Sequence, residues 1–405
     1  MKPEKGMLDK SEQDCSKEEK ILNIFKGLCA LYSVDQVKSP IIEKRTLFER
    51  GLGESSDVVS KEMFKVGSGN RFSENFDKLV LRPEGTAGTL RLYLNSKTPY
   101  SKRFFYVGSM FRKENPQKGR FREFTQGGIE FFRTSSIDII DGMNMAYNFL
   151  DQLGLKTSLK INYLGSSATQ EKVKKYLKEN LDPKELSDYS KERLEKNPLR
   201  ILDSKDSGDQ DYLKRLNFSY QNFLSTEEKL NFKKITDSLS AQGLNFIVEP
   251  LLVRGLDYYQ NLVFEIQSQD LGSQSTVLAG GEYKNLLDFK ESCFGWAFGL
   301  ERLALLLPEE KKDKVVLINL LKDDAKTYQK LKEIRDTGVS VKPLFKKNLQ
   351  KSLELANKSK VDYCLILGEN EEKNNSLTIK RLQDGLQKEL KVEDILDFIS
   401  KGDYI

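Results

Sequence analysis

Residues 104–132, FFYVGSMFRKENPQKGRFREFTQGGIEFF, set aromatic, amide, carboxylate and guanidinium groups in an alternation suited to holding a ring, an amine and a phosphate together. Branched and aromatic residues flank a tip that carries Lys113, Lys118, Arg120 and Arg122 around Pro116 and Gly119, which reads as a β-hairpin with a long basic loop. Strand side chains alternate between two faces, so Phe124, Gln126, Gly128 and Glu130 share one side while Thr125, Gly127, Ile129 and Phe131 share the other. The first side offers a flat ring, an amide, a gap and a carboxylate, with Arg112 at the end of the incoming strand. Taken alone, such a hairpin is more often an edge with a solvated tip. Other stretches reverse that balance.

LVLRPEGTAGTLRLYL, residues 79–94, reads as a strand that turns at Pro83 into a helix starting near Thr86. Glu84 and Thr86 then sit on the turn, where acceptors for an ammonium group would lie; the plainer alternative is a helix cap and a surface acid. FIVEPLLVRGLDYYQNLVFEI, residues 246–266, sets Arg254 beside a turn glycine at a strand end, a position costly to bury without an anionic partner. Tyr259 accompanies it, and Tyr258 reads equally as a core aromatic. AGGEYKNLL, residues 279–287, has small residues that let a ligand ring approach the backbone. CFGWAFGLERLALLLP, residues 293–308, is a glycine-punctuated strand entering an apolar helix, with Arg302 in the first turn, where backbone amides favour phosphate.

These groups need a scaffold, and 405 residues with 38% hydrophobic and 31% charged content suffice for two or three domains. No stretch is apolar for long enough to cross a bilayer, and the first twenty residues are too charged for a secretory signal. Cys15, Cys29, Cys293 and Cys364 form no metal-ligand spacing and read as buried free thiols of a reducing cytoplasm. A net charge of +5 permits a nucleic-acid partner without requiring one. There is no histidine, which excludes histidine bases, histidine metal ligands and every nucleophile pair built on histidine.

FRKENPQKGRFREFTQGGIEFF resembles motif 2 of class II aminoacyl-tRNA synthetases in the form found in histidyl-tRNA synthetases. LRPEGTAG matches that family almost letter for letter, LVRGLDYY resembles a segment peculiar to it, AGGEYKNLL its glycine-rich companion, and CFGWAFGLERLALLLP motif 3. The resemblance implies an α+β fold: a mainly antiparallel class II catalytic sheet with a helical insertion, plus a C-terminal α/β anticodon-binding domain. It implies adenylation of L-histidine by ATP with Mg²⁺, then transfer to histidine tRNA, in a cytoplasmic homodimer. Arg112 and Arg254 would be catalytic, holding α-phosphate and carboxylate. Arg120 and Arg302 would take the outer phosphates, Phe124 and Glu114 the adenine. Glu84, Thr86 and Gln126 would read the α-amine, Glu130 and Tyr259 the imidazole nitrogens, with Tyr258 beside them. Gln117 and Arg122 would meet the tRNA. The family commonly shows arginine where this chain has Glu282, and a Lys-Gly-Thr-Arg-Asp type of segment where it has KGMLDK.

The expected layout is 1–165 and 246–313 for the two parts of the catalytic domain, 166–245 for a lysine- and glutamate-rich helical insertion, and 314–405 for the anticodon-binding domain. A first helix is expected from a Ser16–Glu19 capping box, with Ile21, Phe25, Leu28 and Tyr32 on one stripe. VKSPIIEKRTLFERGLG suits an edge or interface strand at Pro40 and resembles motif 1. Leu199, Ile201 and Leu202 are expected in helix packing. Alternating strands and helices after residue 313 suit βαβ units, with Lys346, Lys347, Lys351 and Lys358 available to tRNA phosphates. The missing histidines have two readings: compositional drift, or selection for an enzyme that can be translated when histidine is scarce. Two rival functions remain, a histidine-binding regulatory subunit without catalysis and a non-enzymatic tRNA sensor. Retention of Arg112, Glu114, Arg254 and Arg302 together argues against both.

Overall fold

The computed structural model describes residues 1–53, 56, 58–67, 78–254, 258–272, 275–309, 314–321, 323–344 and 348–401. Two compact units divide the chain, Met1–Glu309 and Glu310–Ile405.

The first unit opens with α1 (Glu12–Leu31). Its cap lies a turn earlier than Ser16: Asp14 N donates to Ser11 Oγ at 3.2 Å and Ser11 N returns to Asp14 Oδ2 at 2.9 Å, a reciprocal pair that starts the helix first. Ile21, Phe25 and Leu28 are buried on one stripe as their spacing requires, while Cys15, ahead of that stripe, is exposed; the other cysteines are buried. There follow β1 (Asp35–Gln36), β2 (Ile42–Lys44), α2 (Arg45–Leu52), β3 (Lys65–Val66), β4 (Leu79–Leu81) and α3 (Thr86–Asn95). The hairpin is β5 (Lys102–Phe111) with β6 (Glu123–Phe132), then α4 (Ser136–Gln152) and β7 (Ser158–Tyr163). Helices α5 (Ser167–Asn180), α6 (Asp188–Lys196), α7 (Ser207–Arg215) and α8 (Thr226–Ala241) precede β8 (Phe246–Val248), β9 (Tyr259–Gln267), β10 (Thr276–Tyr283), β11 (Cys293–Gly299) and α9 (Leu300–Ala304).

An eight-stranded sheet in the order β1-β5-β6-β11-β10-β9-β7-β8 organises this unit. Its pairs are antiparallel except β1 with β5 and β7 with β8, in keeping with the mainly antiparallel expectation. One face carries Ile129, Phe131, Phe264, Phe294, Trp296 and Phe298 into a core closed by α1 and α4. Burying one such side chain is worth roughly 1.5–3 kcal/mol, so this face holds the sheet and frees the opposite face for small and polar residues. A second core joins α2 and α3 to the helices after α4, including Val173, Leu177, Ile201 and Leu202, and to Leu252, Val253, Tyr258 and Tyr259. Ile201 and Leu202 are buried and Leu199 packs against the same cluster, the packing role expected of them. The helices of 166–245 are therefore solvated only on their outer faces.

A separate three-stranded sheet, β2-β4-β3, has β2 at its edge, with Ile41, Ile42 and Leu79 exposed and Val80 buried beneath.

The second unit comprises β12 (Val315–Asn319), α10 (Asp324–Asp336), β13 (Val341–Leu344), α11 (Leu349–Lys358), β14 (Tyr363–Leu367), α12 (Glu369–Asn374), β15 (Leu377–Arg381), β16 (Gln387–Leu390) and α13 (Ile395–Lys401). β13, β12 and β14 are parallel, as the βαβ pattern predicts, and β15 and β16 extend the sheet antiparallel. Lys351 and Lys358 are exposed on α11; Lys346 and Lys347 lie outside the described residues.

Candidate active site

Sheet register brings the sequence-predicted groups together. Glu130 pairs with Gly295, Gly128 with Ala297 and Gln126 with Gly299 across β6 and β11, while Ala279 of β10 pairs with Ala297 on one side and Glu265 of β9 on the other. Paired residues share a face, so small residues floor the face from which Gln126, Glu130 and Glu265 project. Gly295 is obligatory here: a Cβ would stand 2.1 Å from Glu130 Oε2 and 2.7 Å from Ile129 O.

At one end of this floor, α3 begins on a buried carboxylate. Glu84 accepts Thr86 N at 2.6 Å and Ala87 N at 3.0 Å, so it caps the helix and is no surface acid. Thr86 is the first helical residue, not the cap, and its Oγ1 donates to Glu130 Oε1 at 2.6 Å. Tyr283 Oη donates to the other Glu130 oxygen at 2.7 Å. Burial pushes the Glu130 carboxyl up to about 8, Glu84 adds to the rise, and the two hydroxyls pull against it. Burial likewise raises Glu84, against its amide hydrogen bonds. Gln126 Oε1 accepts Gly85 N at 3.0 Å and Tyr106 Oη at 3.2 Å, so it would serve an ammonium only if one of those donors yields. The rings of Tyr258 and Tyr283 lie 5.3 Å apart, and those of Tyr258 and Tyr259 4.7 Å, making an aromatic wall beside Glu130.

Next to this cluster is a cavity of about 190 Å³ lined by Arg112, Glu114, Arg120, Phe124, Gln126 and Arg302, among others. Arg112 lies over the Phe124 ring, 5.4 Å from its centroid, and its Nε donates to Pro83 O at 2.8 Å. Glu114 faces Arg120 at 3.2 Å and Arg112 at 3.7 Å. Arg302 is fixed by Gly119 O at 3.3 Å and Thr276 O at 2.7 Å; burial, then the like charge of Arg120, lower its proton affinity, as suits guanidinium groups gathered to receive an anion. Glu301 accepts Thr125 N at 2.8 Å and Lys10 Nζ at 2.8 Å, and Arg122 N donates to Gly6 O at 2.7 Å, so the N-terminal segment KGMLDK lies against both the hairpin and α9.

Arg254 and Tyr259 line a different and larger cavity, about 490 Å³, along α5 with Lys174, Lys178 and Lys196. Arg254 Nη1 donates to Glu265 Oε1. Burial opposes its charge, yet Glu265 with Tyr259, Asp203 and Tyr258 together outweigh burial and the guanidinium is held above its usual range. Gln117 and Arg122 stay at the hairpin tip, Gln117 exposed and in mutual backbone hydrogen bonds with Arg120, Arg122 donating through Nε to Glu114 O at 3.2 Å.

The family model for histidyl-tRNA synthetase matches residues 6–303, and that for an anticodon binding domain matches 314–402. The histidine–tRNA ligase of Campylobacter hominis is 38% identical over 420 residues, covering 97% of this chain and 98% of its own. The chain belongs to the histidyl-tRNA synthetase family. A second such ligase, from Picosynechococcus, is 37% identical over 89% of this chain and 88% of its own. In fold the chain is similar to apo histidyl-tRNA synthetase of S. aureus, with a TM-score of 0.72 at 23% identity over 98% of this chain and 99% of that one. Similarity extends to an ATP phosphoribosyltransferase regulatory subunit/histidyl-tRNA synthetase from Bacillus halodurans, with a TM-score of 0.64 at 19% identity over 88% of this chain and 96% of that one. The expected class II catalytic sheet and C-terminal anticodon-binding domain of a histidyl-tRNA synthetase are thus both present.

Reading from sequence missed Tyr283, Tyr106, Glu265, Thr276 and Glu301. Glu301 had a signal, being the acid beside Arg302 in motif 3. Tyr283 had one as well, the two-residue alternation of β10, which sets it on the face of Ala279 and Gly281.

Proposed function

We propose that this histidyl-tRNA synthetase joins L-histidine to ATP as histidyl-adenylate on the sheet face served by both the arginine-lined cavity and the cavity of Arg254 and Tyr259, and then passes the histidyl group to the 3′ end of its tRNA. The observation that carries this reading is Glu130: a buried carboxylate held by Thr86 and Tyr283, beside an aromatic wall and a guanidinium-rich cavity. Adenylation needs no protein base, since the substrate carboxylate is itself the nucleophile that attacks the α-phosphate and expels pyrophosphate. The protein supplies alignment and positive charge where negative charge builds.

In this reading Arg112 and Arg254 hold α-phosphate and carboxylate, and Arg120 and Arg302 the outer phosphates. Phe124 stacks on adenine while Glu114 takes its amino group. Glu84, Thr86 and Gln126 receive the ammonium; Glu130 and Tyr259 take the two imidazole nitrogens, with Tyr258 packed behind. Gln117 and Arg122 meet tRNA. Mg²⁺ would accompany ATP. Among the described residues no three acidic, cysteine or histidine side chains converge; a metal carried on the phosphates needs no such cluster. Residues 1–165 and 246–313 would form the catalytic domain, 166–245 the insertion and 314–405 the anticodon-binding domain. Exposed Ile41, Ile42 and Leu79 on the β2-β4-β3 sheet support a homodimer through that face. A cytoplasmic location goes with this reading; among the described residues no helix is long and apolar enough to cross a membrane.

Histidine-dependent exchange of pyrophosphate into ATP tests the reading. Exchange is expected with pure protein; its absence would favour a regulatory, non-activating relative.

A further inference from the structure

Glu265 stands on the substrate face of β9, opposite Ala279 of β10. Its two oxygens are both engaged: Oε1 by Arg254 Nη1, Oε2 by Thr276 Oγ1 at 2.7 Å and Gln267 Nε2 at 3.0 Å. The side chain is 15% exposed, so it has little left to offer a ligand directly. Arg254, by contrast, makes one side-chain hydrogen bond among the described residues, through Nη1, with the Tyr259 ring 5.9 Å from its Cζ. Its Nε is buried and finds no acceptor among the described residues, an arrangement that leaves one edge of the planar fork for an anion. Thr276 extends the linkage, because its carbonyl accepts Arg302 Nη1 at 2.7 Å while its hydroxyl serves Glu265.

We propose that Glu265 is the positioning residue for Arg254, fixing the guanidinium through Nη1 so that Nε and Nη2 meet the substrate carboxylate and α-phosphate, with Thr276 joining this assembly to Arg302. The proposal rests on the reading of Arg254 given above. A carboxylate suits this task better than a neutral acceptor: it compensates the part-buried charge before substrate arrives, and by engaging a single nitrogen it orients the fork without occupying it. Burial opposes ionisation of Glu265, but Arg254, Thr276 and Gln267 outweigh burial and hold it below the usual carboxylate range, so the pair stays charged at neutral pH. The chain Arg302–Thr276–Glu265–Arg254 thus connects the arginine that faces the triphosphate cavity with one that lines the neighbouring cavity.

A double-mutant cycle in full-length protein, read by single-turnover formation of histidyl-adenylate from histidine and MgATP, tests this. Glu265→Gln should slow adenylation about tenfold while the KM values for histidine and ATP change by less than about threefold, the signature of a group acting on the transition state. Arg254→Lys should also slow it, and the double variant should be no slower than Arg254→Lys alone, because Glu265 has nothing left to position. Thr276→Val should give a smaller loss that likewise vanishes in the Arg254→Lys background. A wild-type rate in Glu265→Gln, with Arg254→Lys impaired, overturns the positioning role and leaves the reading of Arg254 intact. Losses that multiply in the double variant mean Glu265 acts elsewhere and also overturn it. A wild-type rate in Arg254→Lys removes the reading itself. Should Glu265→Gln melt below the assay temperature, the same cycle is run with Thr276→Val and Glu265→Asp. Losses that vanish in the Arg254→Lys background then support the positioning role, and losses that multiply overturn it.

Discussion

Thr86 Oγ1 and Glu130 Oε1 are 2.6 Å apart although 44 residues separate them in the chain. The first residue of α3 and the later part of β6 meet because β5 and β6 carry the hairpin back beneath the start of the helix, and the hydrogen bond holds Glu130 on the face opposite Ile129 and Phe131 of the aromatic core.

Glu130→Gln keeps the shape of that group but can neither ionise against an approaching imidazole nor accept through both oxygens, so the histidine KM should rise about a hundredfold with little change for ATP. A site that pairs polar substrate groups discriminates strongly once a partner is lost. Thr86→Ala should give a smaller rise. Pyrophosphate exchange at varied histidine is the measurement; an unchanged KM in a variant with a normal melt would take Glu130 out of the histidine site.

Stability should fall with rising pH. Glu130, at about 8, and Glu282, raised by burial to about 7, hold protons in the folded state that the unfolded chain has released near the ordinary carboxylate value. The folded state then binds more protons between roughly pH 4.5 and 8, and stability declines across that window. Thermal melts should show the decline, shallower in Glu130→Gln. A melting temperature that climbs steadily from pH 5 to 8 in the unliganded protein would contradict it.

Gly295→Ala should disable histidine use and lower the melting temperature together. The added carbon meets Glu130 Oε2 at 2.1 Å and the Ile129 carbonyl at 2.7 Å, so carboxylate and strand must both move. Overpacking of this kind costs about 1–3 kcal/mol. Calorimetry with exchange kinetics tests it, and normal values for both would mean that Glu130 does not rest over this glycine.

Cutting after residue 313 should leave a protein that still adenylates histidine but charges tRNA poorly. Among the described residues the buried clusters of Met1–Glu309 draw on positions up to 307, and every group assigned to adenylation precedes residue 309. Exchange and aminoacylation assays on the truncated protein separate the outcomes. Loss of exchange in a protein shown to be folded would mean the two units are energetically coupled.

Much of this site was legible in the chain itself. The alternation of Phe124, Gln126, Gly128 and Glu130, the turn from Pro83 into α3 and the position of Arg302 are local patterns, set by the two-residue period of a strand and the amides of a helix start, and all three recur in the structure. Motif likeness extended that to the family. Tertiary structure decided what those groups touch. Glu84 became a helix-capping carboxylate, Gln126 spent its carbonyl on Gly85 and Tyr106, Glu265 met Arg254, and Tyr283 reached Glu130. These contacts depend on strand order and on the register of β6, β9, β10 and β11. Register is a nonlocal property: a slip of one residue exchanges the two faces of a strand, and which slip is right is settled by the aromatic core packed on the far side of the sheet.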